Sequence, residues 1–280
     1  MKDIKAKILS NKKIGNGYYK LMLDAPYIAQ AAKPGQFVQV RCSDGLDPLL
    51  RRPFSIHRVT GQRPTGNGPT RIEILYEVIG KGTEILSKKR KGKFLDVLGP
   101  LGNGFTLPRK PKTENRATII TGGIGVAPMV FLAERLAKKP TVLIGARTKD
   151  LILCEKDFKD MGAEVHIATD DGSQGHKGFV PELLGTRDKG QGTRVYACGP
   201  NAMLKSVTDI CKKRKLECEV SLEETMACGI GACLGCAVKM KDGTSKLACK
   251  DGPVFNANNF DLAEAGPRLF KKAEVQPRQR

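Results

Sequence analysis

The sequence predicts a multidomain β plus α/β chain. A β-barrel spans residues 1–108, a doubly wound parallel α/β domain spans 109–220, a small cysteine-bearing domain spans 221–262, and a basic tail covers 263–280. Three observations carry this expectation. The first hundred residues read as short strands punctuated by turn residues. From Arg116 onward apolar strands alternate with helical patterns. Near the end, four cysteines fall in a spacing that suits an inorganic cluster.

In the first module, strand patterns over residues 5–10, 19–23 and 36–41 are separated by turns such as Asn16-Gly17 and Pro34-Gly35. Residues 71–79 alternate well, with Ile72, Ile74, Tyr76 and Val78 on one face and Arg71, Glu73 and Glu77 on the other. Residues 60–70, rich in glycine, proline and polar side chains, read as a loose loop. Two stretches carry candidate chemistry. Arg52, in Arg51-Arg52-Pro53-Phe54-Ser55, is placed to pair with a phosphate, and Ser55 to bond a ring edge. Gly80-Lys81-Gly82-Thr83 ends a strand and opens a helix over 84–89, so its N–H groups can meet a pyrophosphate. Taken singly, each is also an ordinary turn.

The second module begins with the continuous apolar strand 117–121, as expected when both faces of a sheet are covered. Gly122-Gly123-Ile124-Gly125-Val126-Ala127-Pro128 follows, then a helix to about residue 138, with Pro128 suited to the first helical turn. This is not the full G-x-G-x-x-G fingerprint, because Pro128 occupies the third glycine position. A glycine turn opening a helix is still an anion site. Further strands are expected over 141–145, 165–169 and 194–198, with a helix over 202–213. Cys198-Gly199-Pro200 then lies at the carboxyl end of a strand, where open α/β sheets place ligands; a buried structural thiol is the other reading of Cys198. Arg147 could attract a ribose 2′-phosphate and Asp170 or Asp171 could touch a ribose, or all three are exposed loop charges, which leaves NAD against NADP open.

The third module holds Cys228, Cys233 and Cys236 in a C-x4-C-x2-C spacing, with Cys249 after a short strand and turn. That spacing is the plant-type pattern for a [2Fe–2S] cluster, although the fourth cysteine comes sooner than in plant ferredoxins. Gly229, Gly231 and Gly235 between the ligands allow the backbone to wrap closely and aim N–H groups at sulfur. Zinc sites usually show two C-x2-C knuckles, and only one pair here has that spacing. Nine cysteines in total, with no secretory signal, argue against a disulfide framework. Cys42, Cys154, Cys211 and Cys218 show no ligand spacing, and His57, His166 and His176 form no cluster.

The formal charge is +19, concentrated at residues 88–91, 109–112, 212–215 and 268–280. None of these runs alternates with aromatic residues, so they read as a solvated basic surface that attracts anionic nucleotides or an acidic partner, not as a nucleic-acid site. No apolar run is long enough to span a bilayer, and the charged start is unlike a signal peptide, so a cytoplasmic protein without a membrane anchor is expected.

The order and mutual spacing of these motifs resemble the ferredoxin-reductase superfamily. With all three modules in this order, the chain resembles the electron-transfer subunits of class 1B dihydroorotate dehydrogenases over residues 1 to about 260. The resemblance implies a flavin-binding β-barrel, an NAD-binding α/β domain and a [2Fe-2S] domain. It implies FAD at Arg52, Pro53, Phe54, Ser55, Leu75, Tyr76, Glu77, Gly82 and Thr83, and nicotinamide nucleotide near Gly122, Gly123, Gly125, Cys198, Gly199 and Pro200. It implies cluster ligation by Cys228, Cys233, Cys236 and Cys249. The implied partner is an FMN-containing catalytic subunit in a heterotetramer, with no side chain of this chain acting as catalytic acid or base. A reductase with the same cofactors serving a ferredoxin- or sulfide-linked partner is the alternative. The 60–70 loop, the high positive charge and the tail after Gly266 depart from the pattern.

Overall fold

The computed structural model describes residues 1–62, 68–108, 116–187 and 193–259. The basic run at 109–112, residues 63–67 of the polar 60–70 loop and the tail from residue 260 lie outside the described residues. The first sheet holds β1 (Lys2–Gly15), β2 (Tyr18–Asp24), β3 (Phe37–Val40), β4 (Arg52–Ser55), β5 (Arg58–Gln62), β6 (Pro69–Glu77) and β7 (Phe94–Leu101). Its order is β4-β3-β7-β1-β2-β6-β5, all antiparallel. The sheet curls so that β4 approaches β6, giving a partly open barrel. Asn16 (φ 39) and Gly17 (φ 83) form the hairpin turn whose left-handed residues match strand twist. Alternation fills the barrel: Ala6, Ile8, Leu21, Leu23, Val38, Val40, Ile72, Ile74 and Val97 are buried on its inner face.

Two stretches depart from the sequence expectation. Thr60 pairs with Arg71 and Gln62 with Pro69, so the ends of the expected loop are strand. Edge pairing needs only main-chain groups, which leave no apolar pattern to read. The short helix α1 (Pro26–Ala31) has no counterpart in the sequence pattern, because six residues are too few to show a helical period. α2 (Lys81–Ser87) opens at the expected Gly-x-Gly-Thr turn.

The second sheet has the order β11-β10-β9-β8-β12-β13-β16. Its strands are β8 (Ala117–Gly122), β9 (Thr141–Ala146), β10 (Glu164–Thr169), β11 (His176–Lys177), β12 (Arg194–Cys198) and β13 (Glu217–Ser221), all parallel. β14 (Ala237–Lys239) and β15 (Ser245–Leu247) form a separate hairpin, and β16 (Val254–Asn256) returns antiparallel beside β13. The cysteine-bearing segment is thereby stitched to the edge of the α/β sheet. Helices α3 (Ala127–Arg135) and α4 (Glu155–Asp160) cover one face, and α5 (Val180–Arg187) and α6 (Asn201–Arg214) the other. Among the described residues no helix is long and apolar enough to cross a membrane.

The barrel and the α/β domain are locked together. Phe131 of α3 is fully buried within the barrel core, and Leu75 of β6 is buried among α/β residues. Beside them Arg58 pairs with Glu134 (2.6 Å) and Asp157 (3.2 Å), and Lys20 lies 3.6 Å from Asp157. His57 is completely buried, with Nδ1 2.7 Å from the carbonyl of Ala127, the first residue of α3. Because a carbonyl only accepts, Nδ1 carries the proton. Nε2 lies 3.5 Å from Glu73, which would favour a second proton. Burial outweighs this. It holds the imidazole pKa down to about 4, opposed by the Ala127 bond and reinforced by Lys20 and Arg58.

The sign of the pH effect follows. The unfolded chain takes up a proton near the usual 6.5 and the folded chain only near 4, so this contribution is intact above the first value and lost as pH falls toward the second. Between pH 7 and 5 the unmodified protein is expected to lose about 2 kcal/mol more stability than His57→Gln, read by urea denaturation at each pH. Equal losses would contradict a neutral, buried His57.

Candidate functional site

A cavity of about 1400 Å³ runs between the barrel and the carboxyl ends of β8 and β12. That exceeds the roughly 300–1,000 Å³ that holds one drug-sized ligand, and leaves room for two nucleotides. The Arg52–Ser55 strand, Leu75 to Glu77, Gly82, Thr83, the Gly122, Gly123 and Gly125 turn, and Cys198, Gly199 and Pro200 all face it. Residues from five separate stretches of sequence therefore meet around one space.

On the barrel side, Arg52 is held by the two residues that precede its strand, its Nη1 donating to the carbonyls of Leu50 (2.8 Å) and Arg51 (3.3 Å). It lies over the Gly82 turn, where an added Cβ would come within 3.1 Å of Arg52 Nε. The Thr83 hydroxyl is already used, accepting from the N–H groups of Ile79 (3.0 Å) and Gly80 (3.2 Å) and donating to the Gly80 carbonyl (2.9 Å). The free donors are those before the first helical bond, which runs from Glu84 N–H to Gly80 O. Tyr76 stacks on Tyr19 at 5.5 Å, meets Phe54 edge-on at 5.6 Å, and donates its hydroxyl to Asn11, giving this wall a rigid aromatic floor.

On the α/β side, the glycine turn is a 3-10 segment, Gly123–Val126, leading directly into α3. Gly125 rests on the neighbouring turn: a Cβ there would sit 2.4 Å from the Cys198 carbonyl oxygen. The two cavity-facing turns are thus interlocked backbone to backbone. Burial pushes the Cys198 thiol up to about 12, against a hydrogen bond with Ser221, so it is neutral at ordinary pH. It is an uncharged contact and not a ready nucleophile.

Tyr18, Ser221 and Glu223, which no sequence motif marks, also line the cavity. Ser221 ends β13 beside Cys198, a position that the strand order brings to the cavity but that spacing alone does not reveal. Burial, then the charge of Glu77, raises the Glu223 pKa above the usual carboxylate range. Arg147 and Asp170 also face the cavity, at the ends of β9 and β10.

The four cysteines lie together as two pairs. The Cys233 N–H donates to Cys228 Sγ (3.4 Å), and the Cys249 N–H to Cys236 Sγ (3.4 Å). Ile230 N–H also donates to Cys228 (3.5 Å), and Gly231 N–H to Cys249 (3.2 Å), tying one pair to the other. Gly229 (φ 73) and Gly231 (φ 84) take the left-handed backbone this needs. Leu234 (φ 60), and not Gly235, supplies the third such residue. The Ile230 N–H is the main reason that the Cys228 thiol is drawn down to about 6. Burial, then the Cys236 thiol, pushes Cys249 up to about 12. Cys236 and Cys249 are buried while Cys233 is exposed, so the loop has an inner and an outer end. Among the described residues no three histidine, cysteine or acidic side chains form a single-ion cluster. Two thiol pairs with N–H groups aimed at sulfur are the donor set that a two-iron, two-sulfide group takes.

Comparison with known proteins agrees with this geometry. A family model described as the iron-sulfur cluster binding domain of dihydroorotate dehydrogenase B matches residues 223–261, and an oxidoreductase NAD-binding domain matches residues 119–209. The dihydroorotate dehydrogenase B (NAD(+)) electron transfer subunit of Desulforamulus reducens is 48% identical over 89% of this chain and 95% of its own. That of a Geobacillus species is 40% identical over 94% of this chain and all of its own. A solved structure of an NADH-dependent reduced ferredoxin-NADP oxidoreductase superposes with a TM-score of 0.77 at 30% identity, over 93% of this chain and 91% of that one. Phthalate dioxygenase reductase shares the fold, at a TM-score of 0.57 and 20% identity over 91% of this chain and 77% of its own. Agreement over nearly the whole length in sequence, module order and fold makes this chain a member of the dihydroorotate dehydrogenase B (NAD(+)) electron transfer subunit family.

Proposed function

We propose that this chain relays electrons between an FMN-containing dihydroorotate dehydrogenase subunit and NAD⁺, as one half of a cytoplasmic enzyme of pyrimidine biosynthesis with two copies of each subunit. The observation that carries this reading is the joining of a two-pair thiol loop to a nucleotide-sized cavity by way of the β13–β16 edge. When bound, the [2Fe–2S] cluster supplies single-electron exchange and FAD supplies the pairing of electrons into the hydride that NAD⁺ requires.

The residues of the chain bind, orient and insulate. Arg52 and the first-turn N–H groups of α2 meet FAD phosphate, and Phe54, Tyr76 and Leu75 give the ring an apolar seat. The Gly122, Gly123 and Gly125 turn takes the NAD diphosphate, while neutral Cys198, with Gly199 and Pro200, lies beside the nicotinamide. Cys228, Cys233, Cys236 and Cys249 hold the cluster. Its outer end, near exposed Ile230 and Leu234, is where the partner subunit docks. The basic surface steers anionic nucleotides and an acidic partner face.

A second reading keeps the cofactors and changes the partner. It draws support from the 30% identity with the reduced ferredoxin-NADP oxidoreductase chain over most of both lengths. Co-expression with the FMN subunit and an anaerobic assay of dihydroorotate-dependent NAD⁺ reduction separates the two. A stable complex with coupled turnover is expected; fully loaded protein that forms no complex and shows no coupling would favour the ferredoxin-linked alternative.

Two substitutions test the assigned roles. Cys233→Ser should keep FAD absorbance and lower transfer between subunits by roughly 100-fold or more, beyond the ~10–100-fold typical of losing a group that merely supports a ligand. Undiminished transfer would remove Cys233 from the ligand set. Gly125→Ala forces a Cβ against the Cys198 carbonyl, at a cost of about 1–3 kcal/mol. The expected loss is roughly 10–100-fold in NAD⁺ affinity with FAD content unchanged, measured by titration of the flavin spectrum.

A further inference from the structure

β3 carries one side chain that the fold does not account for. Val38 and Val40 fill the barrel core, while Phe37 and Gln39 point the other way, where Phe37 packs in a cluster with Cys236 and Cys249. Gln39 is completely buried, and neither its Nε2 nor its Oε1 has a hydrogen-bond partner among the described residues. Its near neighbour Gln36, in contrast, donates to the Gly102 carbonyl at 2.7 Å. A buried amide left unpaired costs about 1–3 kcal/mol, so such a group marks a missing partner.

The position of the amide identifies that partner. Gln39 does not line the cavity between the barrel and the α/β domain. A Cβ on Gly229 would lie 2.6 Å from Gln39 Cγ and 2.8 Å from Nε2, so the amide is packed directly on the residue that follows Cys228. The sulfur atoms at this end of the loop are acceptors, and they already draw backbone donors from Ile230 and Cys233. Nε2 is a side-chain donor on the same side, built on a strand of the flavin barrel.

We propose that Gln39 sets the reduction potential of the [2Fe–2S] site by donating a hydrogen bond from Nε2 to sulfur at its Cys228 end. The proposal rests on the electron-relay reading for the identity of the bound group. A donor aimed at sulfur favours the reduced, more negative state. Gln39 also pairs with Pro53 in the β3–β4 ladder, so one short strand supports the flavin segment on one side and the cluster on the other.

The test uses the complete, anaerobically purified chain with FAD and cluster in place. Unmodified protein and Gln39→Leu are titrated electrochemically, following the electron paramagnetic resonance of the reduced cluster. With iron, sulfide and FAD contents equal, Gln39→Leu should show about tenfold less reduced cluster at a fixed potential, which is about 59 mV for one electron. A ratio within twofold of the unmodified protein would overturn the proposal. Should Gln39→Leu fail to load, the unmodified chain labelled with ¹⁵N only at glutamine side-chain amides decides. A ¹⁵N hyperfine coupling in the reduced cluster supports the bond, and no coupling in loaded protein overturns it. Absence of iron and sulfide from the unmodified protein would instead sink the electron-relay reading itself.

Discussion

Close backbone approach at the seams between modules is the constraint that the rest of the structure serves. Electron transfer needs its carriers near one another, so the elements that hold them must meet without side chains in between. At the barrel–cluster seam a Cβ on Gly102 would fall 2.5 Å from the Gly252 carbonyl. There Asn103 donates its N–H to Gly252 and its side-chain amide to the carbonyls of Lys250 and Asp251, just beyond Cys249. At the seam between the two cavity-lining turns, Gly125 rests on Cys198 in the same way. Phe131 then wedges α3 into the barrel, so the seams are held by packing as well as by hydrogen bonds.

Electrostatics divide between surface and site. The chain carries +19 overall, yet the groups at the redox loop are thiols met by N–H dipoles, with no cation bonded to them in the hydrogen bonds described above. Fixed dipoles stabilise added negative charge without the reorganisation that a mobile lysine would need. Across the cavity, burial keeps Cys198 neutral and makes the Glu223 carboxyl easier to protonate.

Much of this was legible in the sequence, because the informative residues sit where backbone geometry leaves few choices. The cysteine spacing foretells thiols that come together in space, and the glycine turn before Pro128 and the Cys198-Gly199-Pro200 turn are legible as strand-end turns, which the structure brings to one cavity. What stayed hidden depends on long-range contact. His57 looks like an isolated histidine until α3 brings the Ala127 carbonyl to it. Ser221 and Glu223 join the cavity only through strand order, and Gln39 becomes conspicuous only once burial and the position of Gly229 are known. Gly235 was a plausible left-handed residue by type, but the loop places that strain on Leu234.

This polypeptide is built to hold both a one-electron and a two-electron carrier. Iron, acid-labile sulfide and flavin, quantified per chain in anaerobically purified protein, are the decisive measurement. Iron and sulfide in equal amounts, two of each, with one FAD are expected; a chain carrying zinc without sulfide, or no flavin, would overturn this.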